Sequence, residues 1–457
     1  MDYWILLEGD KPITKIEIRS GYKTNNLPFT YDEAIKLNNS KYTSARCINI
    51  SKDIRNQGII IDNELPLEEE QKIFNAWNSA FLDKSINGFS MPKYVENNDS
   101  YITELKKIFL KYKKEMQKIA FKYEEDLADE VINNCNMILE ALTVYLDGDE
   151  NKAKKIIKSL IKKYINNPFW VSDLDKSYAF RGVAPFEDLH SEGYEEKYNF
   201  ILENDINFYR ARVGNIERDR KQVLHIPYNL LHLVTEQRFS LSKQPCLYLG
   251  TTSYVCWTEC REPNLENFYV AGFKANTLGK RLKVFNLVAS EALVNGISNK
   301  NLNEHSRKKI QISMLKLLPM VFATSFSIND ESRKEKYEYI IPQLVMQSLS
   351  ELNIDGIAYL SKRGKDDFQY PQGVNLAIPI LDISYKKQYG EVCDKFVITE
   401  PRRFNEYKGN DSAEFKQRSY INETFSDYFS TKDYNKNFSQ YSKVDDIISR
   451  GEYKHYN

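Results

Sequence analysis

The sequence predicts an α+β fold, and three observations carry that expectation. Apolar residues recur at helical spacing in long stripes between about residues 65 and 164. After about residue 195 the pattern changes to short runs with strand-like alternation. Two helical stretches interrupt those runs without a regular alternation of strand and helix, which favours a mixed, partly antiparallel sheet over a parallel one. The expected organisation is an N-terminal domain over residues 1–195, mainly helical from about 65, a sheet-bearing domain over 196–401, and a polar, aromatic tail over 402–457.

Taken in order, the first sixty residues mix short β-like runs (Trp4 to Glu8, Ile13 to Ile18, Ile59 to Asp62) with polar turns. Pro66 and the acids after it mark a helix start, with the helix running to about Lys84. The clearest helix follows, from Asp99 or Ser100 to about Glu125. Tyr101, Leu105, Ile108, Phe109, Tyr112 and Met116 form its stripe. Leu127 to Leu146 supplies a partner stripe, ended by Asp147-Gly148. A third, lysine-rich helix runs from Asn151 to Tyr164 and stops before Asn167-Pro168. Residues 167–200 read as a connecting segment. Beyond it the expected strands are Ile206 to Val213, Cys246 to Gly250, Phe268 to Lys274, Leu282 to Leu287, Gly356 to Leu360, Val374 to Pro379 and Lys395 to Thr399. Helices are expected at about Asn303 to Phe322 and Lys334 to Leu349. The tail, rich in Asn, Ser, Lys and Tyr but poor in aliphatics, reads as an irregular docked arm or a mobile segment.

Composition excludes several classes. Lys plus Arg and Asp plus Glu are both 64, so net charge gives no general attraction to nucleic acid or to a membrane surface. The lysines between 152 and 163 surround their helix instead of forming a stripe, which suits a solvated face. No apolar run approaches the roughly 20 residues that span a bilayer. The N-terminus lacks the parts of a secretory signal, and the six cysteines are scattered without metal or redox spacing. A soluble cytoplasmic protein with buried thiols and no metal is expected.

Familiar chemistry is also missing: there is no phosphate-binding glycine loop, no Gly-x-Ser-x-Gly elbow and no paired-histidine zinc motif. Arg220 and His225 match the loose Arg-x4-His spacing of helical ribonucleases, but they precede a proline in loop-like sequence. What stands out is the stretch from Phe208 to Phe273. It holds FYRAR around Arg210, then HIPYN, then QRFS around Arg238, and finally CLYLGTTSYVCWTEC from Cys246 to Cys260. Arginines, aromatics and one acid on short elements suit a phosphate-bearing, ring-bearing ligand. A later stretch, IDGIAYLSKRGKDDFQYPQGVNLAIPI, runs from Ile354 to Ile380.

Together these pieces resemble, in order, the RES domain, a family named for its Arg, Glu and Ser. Its members are mostly toxins of bacterial toxin and antitoxin pairs, with a fold related to the ADP-ribosyltransferases. The resemblance covers about residues 205–400. It departs from the common pattern at Gln237, where glycine is usual, and at Ser240, where asparagine is usual. It implies cleavage of the nicotinamide to ribose bond of NAD with phosphate or water as acceptor; NAD is then a substrate, and no cofactor is needed. Matched residue by residue, Glu259 would stabilise positive charge growing on the ribose. Arg210 and Arg238 would grip pyrophosphate or an acceptor phosphate, Tyr248 would cover the nicotinamide ring, and Ser361 would orient an oxygen. Tyr209, Tyr254 and Trp257 are further aromatic candidates. Transfer of ADP-ribose to a macromolecule and an RNA-binding or RNA-cleaving role through the helices, Arg220 and His225 are the alternatives. The family implies silencing by an antitoxin; a phage-derived trigger, or control in cis by the N-terminal helices or the tail, is also an expectation, as is an oligomer.

Overall fold

The structure is a computed structural model. It describes residues 86–181, 205–296, 304–328, 335–363, 373–407 and 432–457, except 121, 122, 125, 242 and 384–386, together with residue 333 and the backbone of four short strands before residue 51. Those four are β1 (Tyr3–Glu8), β2 (Lys11–Pro12), β3 (Phe29–Thr30) and β4 (Arg46–Ile50), paired antiparallel around β1. The strands expected near 13–18 and 59–62, and the helix expected from 65 to 84, lie outside the described residues.

Three helices follow: α1 (Asn98–Ile119), α2 (Leu127–Leu146) and α3 (Glu150–Lys163). Asn97 caps α1 by accepting from Ser100 N, and Asp149 caps α3 by accepting from Lys152 N, so each start satisfies amides that have no partner inside the helix. The stripe on α1 is buried as its spacing predicts. Its hydroxyls show what it packs on: Tyr112 Oη donates to Leu315 O at 2.9 Å and Tyr101 Oη to Ala323 O at 3.1 Å. Both acceptors belong to α5 (Glu304–Thr324), and Asn134 of α2 reaches the same helix through Lys316 O. Another helix, α6 (Ile340–Leu349), packs on α3. The helices α1, α2 and α3 therefore share one apolar core with α5 and α6. Residues 167–181, read from sequence as a connector, belong to it as well. Trp170 is fully buried and donates to Ser313 O, and β6 (Val171–Asp173) joins the main sheet. Part of the lysine charge on α3 is neutralised internally, because Lys154 and Lys158 both pair with Glu351.

The other main-sheet strands are β7 (Asn207–Val213), β8 (Cys246–Gly250), β9 (Phe268–Ala275), β10 (Lys283–Leu287), β12 (Gly356–Leu360), β13 (Val374–Pro379), β14 (Phe396–Ile398) and β15 (Arg402–Arg403). Two more, β5 (Lys93–Val95) and β11 (Phe326–Ile328), form a separate parallel pair. The sheet order is β14-β9-β7-β8-β13-β12-β10-β6, with β15 also on β9. Pairing is antiparallel except between β10 and β12, so the sheet is mixed, as expected from the missing βαβ alternation.

The C-terminal segment was expected either to dock as an irregular arm or to stay mobile; its described part from residue 432 docks, but as a helix. It contains α7 (Lys432–Ser449), and Tyr441, Val444 and Ile448 are buried against Tyr209, Ala211, Phe268 and Val270 of the sheet. Gly272 on β9 permits this contact, because a Cβ there would stand 2.6 Å from an Ile448 methyl and 2.5 Å from the Tyr453 hydroxyl. Past α7, Lys454 pairs with Ile398 as a final bridge.

Candidate active site

Strand β8 ends at Gly250, and α4 (Ser253–Glu259) begins three residues later. The turn is tight: a Cβ on Gly250 would lie 2.4 Å from a Val255 methyl, so only glycine lets the helix start against the strand end. Thr252 caps α4 by accepting from Val255 N. The helix is two turns long and delivers Glu259 at its last position. The chain then leaves through Arg261 and Glu262, both with φ in the left-handed region.

Glu259 faces the strand ends of β12 and β13. Its Oε1 accepts from Ser361 Oγ at 2.8 Å and from Asn375 Nδ2 at 2.7 Å, while Oε2 lies 3.5 Å from Arg363 Nε. Ser361 directly follows β12, and its amide donates to Gly373 O just before β13, so antiparallel pairing fixes its position relative to Asn375. Ser361 is 3% exposed, and its hydroxyl is committed to the carboxylate. It is placed to orient Glu259, not to act as a nucleophile.

The carboxylate stands in the wall of a cavity of about 520 Å³ that Arg210, Arg238 and Tyr248 also line. This volume is in the range of small-molecule sites. Among its described lining residues six are cations (Arg210, Arg212, Arg238, Lys336, Lys362, Arg363) and two are acids, Glu259 and Glu338. Glu338 already pairs with Arg333 at 2.7 Å. Aromatic surface comes from Tyr94, Phe239, Tyr248, Tyr339 and Tyr359. The combination suits an anionic ligand that also carries rings.

The arginines are held differently. Arg210 on β7 is buried and donates Nη1 to Tyr248 O at 2.6 Å. Arg238 donates Nη1 to Thr324 O and Glu338 O and Nη2 to Ser327 Oγ, all at 3.2–3.4 Å, and its guanidinium lies 5.0 Å over the Tyr339 ring. It thus ties the end of α5 to the cavity wall. Burial pushes the Tyr248 phenol well above its ordinary pKa, so Tyr248 presents a neutral ring.

The structure thus brings Arg210, Arg238, Tyr248 and Glu259 together around one cavity, with Ser361 hydrogen-bonded to Glu259 beside it. It places three other candidates elsewhere. Tyr209 points to the opposite face of β7 and donates to Asp445 O in α7. Tyr254 meets Tyr441 edge to face, and Trp257 donates to Pro263 O. Strand alternation explains Tyr209: neighbours on β7 point to opposite faces, so the Tyr209 side chain is turned away from the face that Arg210 occupies. Asn375 and Arg363 were missed, although both lie in the sequence stretch that carries Ser361. The available signal was polarity: Asn375 interrupts a fully buried strand.

The Arg220 and His225 pair does not form a site. Arg220 donates to Ile398 O at 2.8 Å. His225 uses Nδ1 toward Ile226 O and accepts at Nε2 from Gly390 N, and burial lowers its pKa to about 4. Both are committed to backbone groups.

No group of metal-ligating side chains occurs among the described residues, and no helix there is long and apolar enough to cross a membrane. No protein-family model and no solved structure matches the chain. A curated protein of Bacillus subtilis (strain 168) named "Putative toxin YopC" is 27% identical over 216 residues, covering 45% of this chain and 48% of that protein. The chain therefore spans about half the length of the curated relative it matches, and its similarity is to a protein named as a toxin.

Proposed function

We propose that this chain is a toxin-type enzyme that breaks the nicotinamide to ribose bond of NAD, with Glu259 as the catalytic carboxylate. The observation that carries the reading is the double clamp on Glu259 Oε1 by Ser361 and Asn375 in the wall of a cation-rich, aromatic cavity. Cleavage of that bond releases neutral nicotinamide from a cationic ring and leaves positive character on the ribose. A carboxylate held against the growing charge lowers the barrier because it needs no reorganisation as the bond breaks. Ser361 and Asn375 act as positioning residues. The cations of the cavity grip the pyrophosphate through charge-assisted bonds, and the tyrosines cover the rings. Water or phosphate accepts the ribose. Similarity to a protein named as a toxin supports the biological side of the reading, and such an enzyme requires a partner protein that silences it.

Expression in a bacterial host tests both sides at once. Induction of the wild-type chain is expected to stop growth and to lower cellular NAD within the same interval. Glu259→Ala, expressed to the same level, is expected to do neither. Growth arrest with unchanged NAD would remove the proposed substrate while leaving the toxin.

A further inference from the structure

The helix that carries Glu259 is short, so what touches its first turn sets where its last residue stands. Ser253 is fully buried, and as the first residue of α4 its amide has no partner inside the helix. Asp445 of α7 supplies one, accepting from Ser253 N with both carboxylate oxygens at 3.1 Å. The backbone of the same residue is held from the sheet, where Tyr209 Oη donates to Asp445 O at 2.9 Å. Cys256 Sγ in turn donates to Tyr209 O at 3.3 Å, so α4, β7 and α7 meet around Asp445. Tyr441 closes the arrangement against Tyr254 and Trp257.

Asp445 is buried, and only burial and the Ser253 bonds act on its carboxyl. Among the described residues, the titratable groups that face it are Cys256 on α4, Tyr441 on α7, Tyr453 after α7 and the Tyr209 hydroxyl on β7. Burial pushes Cys256, Tyr441 and Tyr453 above their ordinary values, so they stay neutral near pH 7. None of the four can become a cation. A carboxylate there is costly, and its pKa rises to about 7. By linkage, α7 docks most firmly while Asp445 keeps its proton.

We infer that Asp445 is a positioning residue for Glu259: through Ser253 it seats α4, so the docking of α7 on the sheet is transmitted to the carboxylate at the other end of the helix. Glu259 Oε1 is held by Ser361 and Asn375 at 2.7–2.8 Å. A tilt of α4 that moves its last residue by about 1 Å takes both bonds past hydrogen-bonding length. The seating of α4 stands without the NAD reading; only its effect on turnover rests on that reading.

Hydrogen exchange of the full chain, read by mass spectrometry, and nicotinamide release from NAD test the inference with two variants. Asp445→Ala removes the acceptor and leaves Ser253 N buried without a partner. Exchange in the peptide over residues 250–262 is expected to rise roughly tenfold while a peptide over β13 keeps its wild-type exchange. Turnover is expected to fall roughly tenfold in kcat with KM within about twofold. Asp445→Asn keeps a neutral oxygen acceptor, as the protonated carboxyl does, and is expected to match the wild type at pH 6. Between pH 6 and pH 8 the wild type is expected to lose turnover and α4 protection relative to Asp445→Asn, because ionisation weakens the docking of α7. Other titrating groups are common to the two proteins and cancel in that ratio. Exchange over 250–262 untouched by Asp445→Ala, a rise that extends equally to β13, a loosened α4 with unchanged kcat, or a ratio that stays flat with pH would overturn the inference. A wild-type chain that releases no nicotinamide, with α4 responding as expected, would refute the proposed function and leave the seating of α4 by Asp445 standing.

Discussion

A single carboxylate oxygen organises the candidate chemistry. Glu259 Oε1 accepts two side-chain hydrogen bonds at 2.7–2.8 Å, and hydrogen bonds to a charged group are worth about 1.5–3 kcal/mol each. If they fix the carboxylate for the transition state, removing either should lower kcat by roughly 10- to 100-fold with a smaller change in KM. Ser361→Ala and Asn375→Ala are the variants, and steady-state kinetics on NAD is the measurement. A pure KM effect in both would mean that the clamp serves substrate binding instead. Arg363, 3.5 Å from the other oxygen, is the counter-charge that the sequence stretch around Ser361 also supplies. The five residues carried by the family resemblance were legible from sequence because each sat in a short piece with fixed order. Asn375 and Arg363 sat in the same pieces and were not singled out. Their roles depend on which face of a strand or which side of a turn they occupy, and that is set by contact with Glu259, which for Asn375 spans 116 residues of sequence.

At the scale of the element, α4 is the part on which the site depends, and α7 braces it. Asp445 accepts from Ser253 N with both carboxylate oxygens at 3.1 Å, at the start of the helix that ends in Glu259. Tyr441, one turn earlier on α7, packs on Tyr254 and Trp257 of the same helix. Burial raises the Asp445 pKa to about 7, only partly opposed by the Ser253 bonds. Between the ordinary carboxylate value and about pH 7, the unfolded chain releases a proton that the folded chain keeps. The contribution of Asp445 to stability is therefore complete at acid pH, falls as the pH rises toward 7, and levels off above it. Asp445→Asn removes that titration. Urea unfolding of both proteins between pH 4 and pH 8 is expected to show the variant gaining on the wild type up to about pH 7, by on the order of a few kcal/mol. His225, held neutral with its pKa near 4, destabilises the fold as the pH falls below its ordinary value. That effect is common to both proteins and cancels in their difference. A difference independent of pH would contradict the buried, proton-retaining Asp445.

For the whole molecule, the strands and most helices were readable because burial on one face writes its period into the sequence. Strand bounds such as Cys246–Gly250, Gly356–Leu360 and Val374–Pro379 follow from local alternation and turn residues alone. The packing of α1, α2 and α3 on α5 and α6 was not readable, since two apolar stripes do not state which partner each will take. The sequence boundary near 195 separates elements that share one core. The C-terminal helix was obscured by composition. Its buried residues Tyr441, Val444, Asp445 and Ile448 do recur at three- and four-residue steps, but Lys, Asn and Ser surround them. The result is a sheet covered on one side by helices from both halves of the sequence and, at β7 and β9, on the other by α7. The candidate active site opens between the strand ends and α4. The central claim is that this site cleaves NAD through Glu259, and the most direct measurement is nicotinamide release by the purified full chain incubated with NAD. The account predicts release by the wild type and its loss by at least about a hundredfold in Glu259→Gln, which keeps the hydrogen-bonding shape and removes the charge. Equal release by both proteins, or none by a folded wild type with water and phosphate both present, would contradict it.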